Sequence, residues 1–268
     1  MALSLPRKQT WEDFRRYWDL VYVLSARHLK VRYRGSFLGI YWSVLNPLVM
    51  TGLYAGIFGN VFASYYDNSL LNYMLAAFTG LTIINLYSSA TIQSVNIVVW
   101  GSPLLNKIRL PASVFPVSMV LANMFQFVAG VVPLLAIVTL LTSKNPLNVL
   151  LLIFPVLAML LLCVGVALLV SALYVFFRDL PNFYEVIVFV LGLSTPIFYP
   201  ATIVPPNLRQ FLVFNPLYPI LESLRDIAIS GTLPELYPIA HSLLNGVVVL
   251  SIGWLCFQRW RSQFMDLL

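Results

Sequence analysis

ARHLKVRYRGSFLGIYWSVLNPLV, residues 26–49, sets a basic, aromatic-rich segment directly against a long apolar run. Arg27, His28, Lys30, Arg32 and Arg34 crowd the first part, and from Phe37 to Phe58 no side chain is charged. A run of about 20 uncharged residues is what crossing a hydrocarbon core of roughly 30 Å requires, and Lys and Arg collect on the cytoplasmic side of such spans. The stretch therefore reads as a membrane span that begins in the cytoplasm. The competing reading, a buried helix behind a solvated basic face, fits poorly, because a soluble core helix rarely needs so long an uncharged run.

Composition carries the same message along the whole chain. Of 268 residues, 60% are hydrophobic and 10% charged, against roughly a quarter charged in a soluble domain. Several uncharged stretches share the excess, so one polytopic domain is expected and not an anchor on a soluble domain. The net charge of +6 does not point to nucleic acid, because eight of the sixteen Lys and Arg precede residue 35. That clustering is what the positive-inside bias demands, with anionic headgroups of membrane lipids as a further partner. Cys163 and Cys256 sit inside apolar runs with no Cys or His beside them, so neither a disulfide nor a metal site is expected. The first apolar run starts after some 35 residues without a cleavage pattern, so no signal peptide is read.

Six uncharged runs are long enough to be spans: residues 36–62, 70–100, 112–142, 147–177, 183–199 and 237–257; the fifth is short and carries Glu185. An even number returns the C-terminus to the side of the N-terminus. With both ends inside, thirteen Lys and Arg lie in cytoplasmic segments and only Lys144, Arg209 and Arg225 outside, a bias that a miscounted span would destroy. The expected organisation is a cytoplasmic segment over residues 1–35, a six-span domain over 36–258 and a basic cytoplasmic tail over 259–268.

Before the first span, Trp11, Phe14, Trp18, Val21, Tyr22 and Ser25 recur at three- and four-residue steps, opposite Glu12, Asp13, Arg15, Arg16 and Asp19. This is an amphipathic helix, lying on the membrane surface or packed on a partner, and both readings stand. Residues 200–238 mix five or more prolines with apolar residues around Phe211 to Phe214. Such a segment is too apolar for a solvated linker and too broken to span. It is expected to form re-entrant half-helices between spans five and six, tolerated where protein or a wet cavity satisfies the freed backbone groups.

Chemistry at depth is sparse. A membrane enzyme or ion-driven carrier needs ionisable groups inside the bilayer, and here only Glu185, near a cytoplasmic turn, and His28 and His241, near the surfaces, qualify. None has a partner at dyad spacing. The chain contains no GxxxxGK[ST] phosphate loop, so ATP, if used, is handled by another polypeptide. Two cytoplasmic connections could receive one: WGSPLLNKIRLP, residues 100–111, and FRDLP, residues 177–181. Read alone, each is equally a connector carrying positive-inside charge.

Taken in order, the amphipathic helix, LKVRYRGSFLGIYWSVLNPL (29–48), NKIRLPASVFP (106–116), FFRDLPNFYEVI (176–187), TPIFYP (195–200), NPLYPILESLRD (215–226) and the basic FQRWRSQF (257–264) resemble the permease subunit of type 2 ABC transporters. The resemblance is closest to the bacterial exporters of O-antigen, capsule and teichoic acid, and it covers nearly the whole chain. It implies an all-α, six-span, non-enzymatic subunit of the bacterial inner membrane that pairs as a homodimer with two cytoplasmic ATPase subunits. ATP and Mg belong to those partners, and this chain needs no cofactor. The cargo implied is an undecaprenyl-linked polysaccharide.

The resemblance further implies ATPase contacts at Asn106, Lys107, Arg109 and Pro111 in the first connection, and at Arg178 and Asp179 in the second, where those two equally form a local pair. It puts spans one and five at the dimer interface. Tyr41, Trp42, Tyr54, Phe183, Tyr184, Phe198 and Tyr199 are then candidate pathway aromatics, since sugar rings offer apolar faces to aromatic planes. Trp and Tyr also gather at membrane interfaces whatever the function. Arg32 and Arg34 would guard the cytoplasmic mouth. Two alternatives remain: an exporter of a small lipid or drug on the same fold, and a membrane-embedded glycosyl or acyl transferase using Glu185, His28 or His241.

Overall fold

The structure, a computed structural model, describes residues 11–101, 110–230 and 234–267. The described residues are helical almost throughout, as an apolar solvent requires, since a helix satisfies its own backbone groups. In chain order the helices are α1 (Trp11–Arg32), α2 (Trp42–Phe62), α3 (Leu70–Ile92), α4 (Ile97–Trp100), α5 (Val114–Ser143), α6 (Pro146–Leu151), α7 (Ile153–Phe176), α8 (Leu180–Ser194), α9 (Pro206–Phe214), α10 (Tyr218–Ile229) and α11 (Leu236–Leu267). Among the described residues five stretches are long and apolar enough to cross a membrane: Gly39–Tyr65, Leu70–Ile92, Val114–Ser143, Pro146–Phe176 and Leu236–Phe264. The remaining expected span is α8, whose 15 residues reach about 22 Å at 1.5 Å per residue. The chain leaves helix at Thr195, short of the 199 read from the sequence.

Helix ends carry local signals. Ser69 caps α3 by accepting from the Asn72 N–H, and Asn145 caps α6 by accepting from the Leu147 N–H. Lys144 closes α5 in the left-handed conformation, φ +52°. Hydroxyls buried in α3, α5 and α7 fold back on their own helix, Thr79 donating to Ala76, Thr91 to Tyr87, Ser118 to Phe115 and Ser171 to Leu168, and Ser94, in the turn after α3, donates back to Ala90. Each is thereby satisfied without water.

The closest helix pair is α7 with α11. A Cβ placed on Gly165 would stand 2.6 Å from the Leu250 Cα and N, and one on Gly246 would stand 2.8 Å from the Ala158 carbonyl oxygen. One placed on Gly253 would overlap the carbonyl oxygen of Gly165. Ala158 and Gly165 on one helix, and Gly246 and Gly253 on the other, each lie seven residues apart, so small residues recur along one seam and the backbones touch.

Helix α10 is the plug of the bundle. Its Ile220, Leu221, Leu224 and Ile227 are fully buried in the core formed with α3, α5 and α7. The proline-broken segment therefore does form two short helices, but unequal ones: α9 exposes Leu208 and Phe214, while α10 fills the interior. A second core at the opposite end joins Val21 of α1, Ile97 and Val98 of α4, Val114 and Phe115 of α5, Val175 of α7, and Phe257 and Phe264 of α11.

Helix α1 corrects the expected face. Its inward stripe is Tyr17, Val21, Leu24, Ser25 and Arg32: Val21 is 1% exposed, and Ser25 Oγ donates to the Ser118 carbonyl at 2.9 Å. Phe14, Trp18 and Tyr22, read as the same face as Val21, point outward. The helix packs on its own chain through one stripe and exposes the aromatic one.

Candidate functional site

At the joint between α1 and α2 the chain reverses through residues 33–41. Gly35 and Gly39 take positive φ, +78° and +50°, a conformation only glycine adopts at no steric cost. Ser36 Oγ accepts from the Gly39 N–H at 3.0 Å. The end of α1 and the start of α2 both pack on α5, and a cavity of about 380 Å³ lies between α1, α2, α3 and α5. Nine of its fourteen lining residues are polar: Arg32 and Tyr33, then Ser43 and Asn46, then Thr82, Asn85 and Ser89, then Asn123 and Gln126. Thr82, Asn85 and Ser89 follow one face of α3 at steps of three and four, and Asn123 and Gln126 one face of α5.

Arg32 is held by carboxamides. One terminal nitrogen donates to Asn123 Oδ1 at 2.9 Å and to Gln126 Oε1 at 2.7 Å, and the other to Gln93 Oε1. Asn123 is fixed in turn by donating from Nδ2 to the Met119 carbonyl at 2.9 Å. Arg34, by contrast, is exposed in the turn after α1. The two arginines paired in the sequence reading therefore differ: Arg32 closes the floor of a cavity, and Arg34 faces outward.

At the far end of α2 aromatic rings form a ladder. Tyr54 stacks on Phe198 with centroids 3.7 Å apart, then Phe58 follows at 6.0 Å, Phe62 at 6.1 Å, Tyr73 at 6.1 Å and Tyr66 at 5.9 Å. Two candidate aromatics, Tyr54 and Phe198, are thus brought together. Tyr41 and Phe183 are exposed away from the ladder, and Trp42, itself exposed, lines the cavity with Arg32. Tyr199 turns its hydroxyl to the Leu193 carbonyl at 3.1 Å. Tyr184 belongs to the core: it is 4% exposed, and its hydroxyl donates to Tyr87 Oη at 3.3 Å, so within the chain it offers no ring to a passing ligand.

Of the expected ATPase contacts, Asn106, Lys107 and Arg109 lie outside the described residues. Pro111 is exposed just ahead of α5, its carbonyl accepting from the Val114 N–H at 3.0 Å. Arg178 and Asp179 are both exposed at the α7–α8 turn, with the Arg178 guanidinium 5.3 Å from the centroid of the Tyr174 ring.

His28 lies on the inward side of α1, its Nε2 buried without a hydrogen-bond partner among the described residues. Burial first, then the charges of Arg27 and Arg32, hold its pKa below the ordinary imidazole value. A depressed histidine pKa means that the undocked chain takes up the proton first. Docking of α1 is therefore at full strength above about pH 6.5 and weakens as pH falls below that. Hydrogen exchange over residues 11–32 is expected to quicken between pH 7.5 and 5.5 after correction for intrinsic rates, and His28→Leu to flatten that response. The same pH response in His28→Leu would remove the histidine from the account.

The sequence reading missed the carboxamides. Asn46, Asn85, Gln93, Asn123 and Gln126 are uncharged and sit inside or beside apolar runs, where a search for ionisable groups passes over them. The available signal was their recurrence at helical steps with Ser and Thr, since polar residues at depth face a bundle interior or a cavity.

The family described as ABC-2 type transporter matches residues 19–229. Among similar proteins, an O-antigen export system permease protein RfbA of Klebsiella pneumoniae is 28% identical over 253 residues, covering 94% of this chain and 95% of the relative. The protein of the same name from Myxococcus xanthus is 30% identical over 254 residues, covering 93% and 95%. Both the family match and the latter similarity run through the clasp, the cavity and most of the bundle, and the chain belongs to the ABC-2 type transporter family.

Proposed function

We propose that this chain is the transmembrane subunit of an ATP-driven exporter that moves an O-antigen-like, undecaprenyl-linked polysaccharide across the bacterial inner membrane. The observation that carries the reading is end-to-end similarity to relatives named as O-antigen export permeases. The distribution of polar and aromatic groups supports it. A donor-rich cavity lies at the end of the bundle that carries the basic cluster, and an aromatic ladder at the other, with few ionisable groups between.

Two copies of the chain form the working unit. Helix α8 exposes Phe183, Val186, Phe189, Val190 and Leu193, and α2 exposes Trp42, Val49, Leu53 and Ile57. A helix as short as α8 meets the bilayer poorly by itself and is better covered by a second protein surface. ATP and Mg are handled by two cytoplasmic ATPase subunits, because the chain has no phosphate loop. They press on the exposed turn at Arg178 and Asp179, on the connection ending at Pro111, and on α1. Both termini are cytoplasmic, on the side of the basic cluster. Movement of the sugar chain needs no covalent step here: aromatic faces such as Tyr54 and Phe198 give repeated weak contacts along which a polymer slides.

Deleting the gene while leaving polymer synthesis intact tests the reading. Lipid-linked polymer is expected to accumulate on the cytoplasmic leaflet, and an ATPase to co-purify with the chain in mild detergent. Normal surface polymer in the deletion strain, or accumulation of a small lipid instead, would overturn it.

A further inference from the structure

We infer that the cavity at the α1–α2 joint is a binding site for a phosphate-bearing lipid headgroup, and specifically for the diphosphate of a polyprenyl-linked substrate with the sugar next to it. The inference rests on the export reading above and adds the place where the headgroup is held.

Charge is the first argument. The three side chains that accept from Arg32 are Asn123, Gln126 and Gln93, all neutral. They orient the guanidinium without neutralising it, and among the described residues no Asp or Glu lines the cavity. A half-buried cation beside a bilayer is retained where it has an anion to meet. The exposed Arg27, Lys30 and Arg34 on the same helix and turn add a field that draws anionic headgroups to this level of the membrane.

Donor geometry is the second. Because Gln126 gives its oxygen to Arg32, it presents N–H donors on its other side. Asn46, Asn85 and Ser89 add further polar groups from α2 and α3. A diphosphate is all acceptors, and charge-assisted bonds to such oxygens are about twice as strong as neutral ones. Arginine, carboxamides and hydroxyls converging on one space fit that ligand, and the same carboxamides suit the hydroxyls of a proximal sugar.

Size and access are the third. A cavity of about 380 Å³ lies at the lower end of the roughly 300–1,000 Å³ range of small-molecule sites. It holds a headgroup and not a polymer. Its α2 rim is exposed at Trp42 and Asn46, and Leu45 and Val49 continue outward as an apolar surface, which a polyprenyl tail could follow while the headgroup stays inside.

The test uses the full chain purified with its ATPase in phosphatidylcholine nanodiscs. Radiolabelled undecaprenyl diphosphate is expected to bind saturably, and undecaprenol about tenfold or more weaker for want of the charged acceptors. The double substitution Asn46→Leu and Asn85→Leu, which leaves the Arg32 clasp intact, is expected to weaken diphosphate binding about tenfold. In the unaltered protein, an undecaprenyl diphosphate carrying a diazirine near the phosphates should label peptides containing residues 42–47 and 123–127, a measurement that does not depend on any variant folding. Equal binding of undecaprenol would overturn the inference. So would displacement by equimolar phosphatidylglycerol, which would make this an ordinary phospholipid site, unweakened binding by a folded double variant, or labelling elsewhere. If deletion cells accumulate diphosphate-linked polymer yet the label falls elsewhere, the site alone fails. If no such polymer accumulates, the export reading fails whatever the cavity binds.

Discussion

Gly253→Leu is expected to leave little or no folded protein in the membrane. Even a methyl group at this position overlaps the Gly165 carbonyl oxygen, and backbone cannot swing aside as a flexible side chain can. The only relief is to part α7 from α11, and that opens the whole seam, because Gly165 against Leu250 and Gly246 against Ala158 are also in backbone contact. Between helices in lipid no hydrophobic driving force restores the contact, so close packing is the main attraction available. The loss should exceed about 4 kcal/mol, in the range where a single change disables a domain. Ile252, one residue earlier, is 51% exposed, and Ile252→Leu should be silent. Yield of monodisperse protein and resistance to protease in detergent measure both. A Gly253→Leu protein that purifies and melts like the parent would show that the seam is not as tight as its geometry.

The seam also marks where sequence reading stops. Long apolar runs were legible because the bilayer imposes a length and excludes charge, and five expected spans coincide with long helices, the second stopping early at Ile92 and the last running on to Leu267. The run over 183–199 fell short, because TPIFYP is apolar enough to pass for helix while its prolines end it. On α1 the period was legible and the contact was not: Phe14, Trp18 and Tyr22 are as apolar as Tyr17, Val21 and Leu24, and only the position of α5 decides which stripe is covered. The Arg32 clasp joins residues 61 to 94 positions apart, and nothing local in ARHLKVRYRG indicates which carboxamides it will meet. Arg32 and Arg34 stand together by charge, and the fold separates them: Arg32 lines the cavity and Arg34 is exposed in the turn after α1.

Arg225→Met carries the second large effect. Arg225, on α10, donates through Nε and one terminal nitrogen to the Ala76 carbonyl at 3.2 and 2.7 Å, and through its terminal nitrogens to Pro196 at 2.8 Å and Ile197 at 2.9 Å. It thus ties the plug helix to α3 and to the segment where the chain leaves α8. That segment presses on Gly80, where a Cβ would stand 2.8 Å from Ile197 Cγ2, and delivers Phe198 onto Tyr54. Methionine fills similar space but strands the Pro196 and Ile197 carbonyls. The Ala76 carbonyl, inside α3, keeps its place in the helix ladder and the Thr79 hydroxyl at 2.9 Å. Each bond to a charged donor contributes about 1.5–3 kcal/mol, partly offset by relief of the desolvated cation, so a net loss of a few kcal/mol is expected. Arg225→Lys should recover only part of it, because an ammonium cannot reach three carbonyls with a planar fork. If Arg225 positions the ladder, disulfide formation between cysteines at 54 and 198, in a background without Cys256, should fall severalfold in Arg225→Met even where folded protein is recovered. Undiminished cross-linking with a lowered melting temperature would make Arg225 a support of the core alone. Loss of both ties the interior plug to the aromatic pair through which the exported chain is proposed to leave.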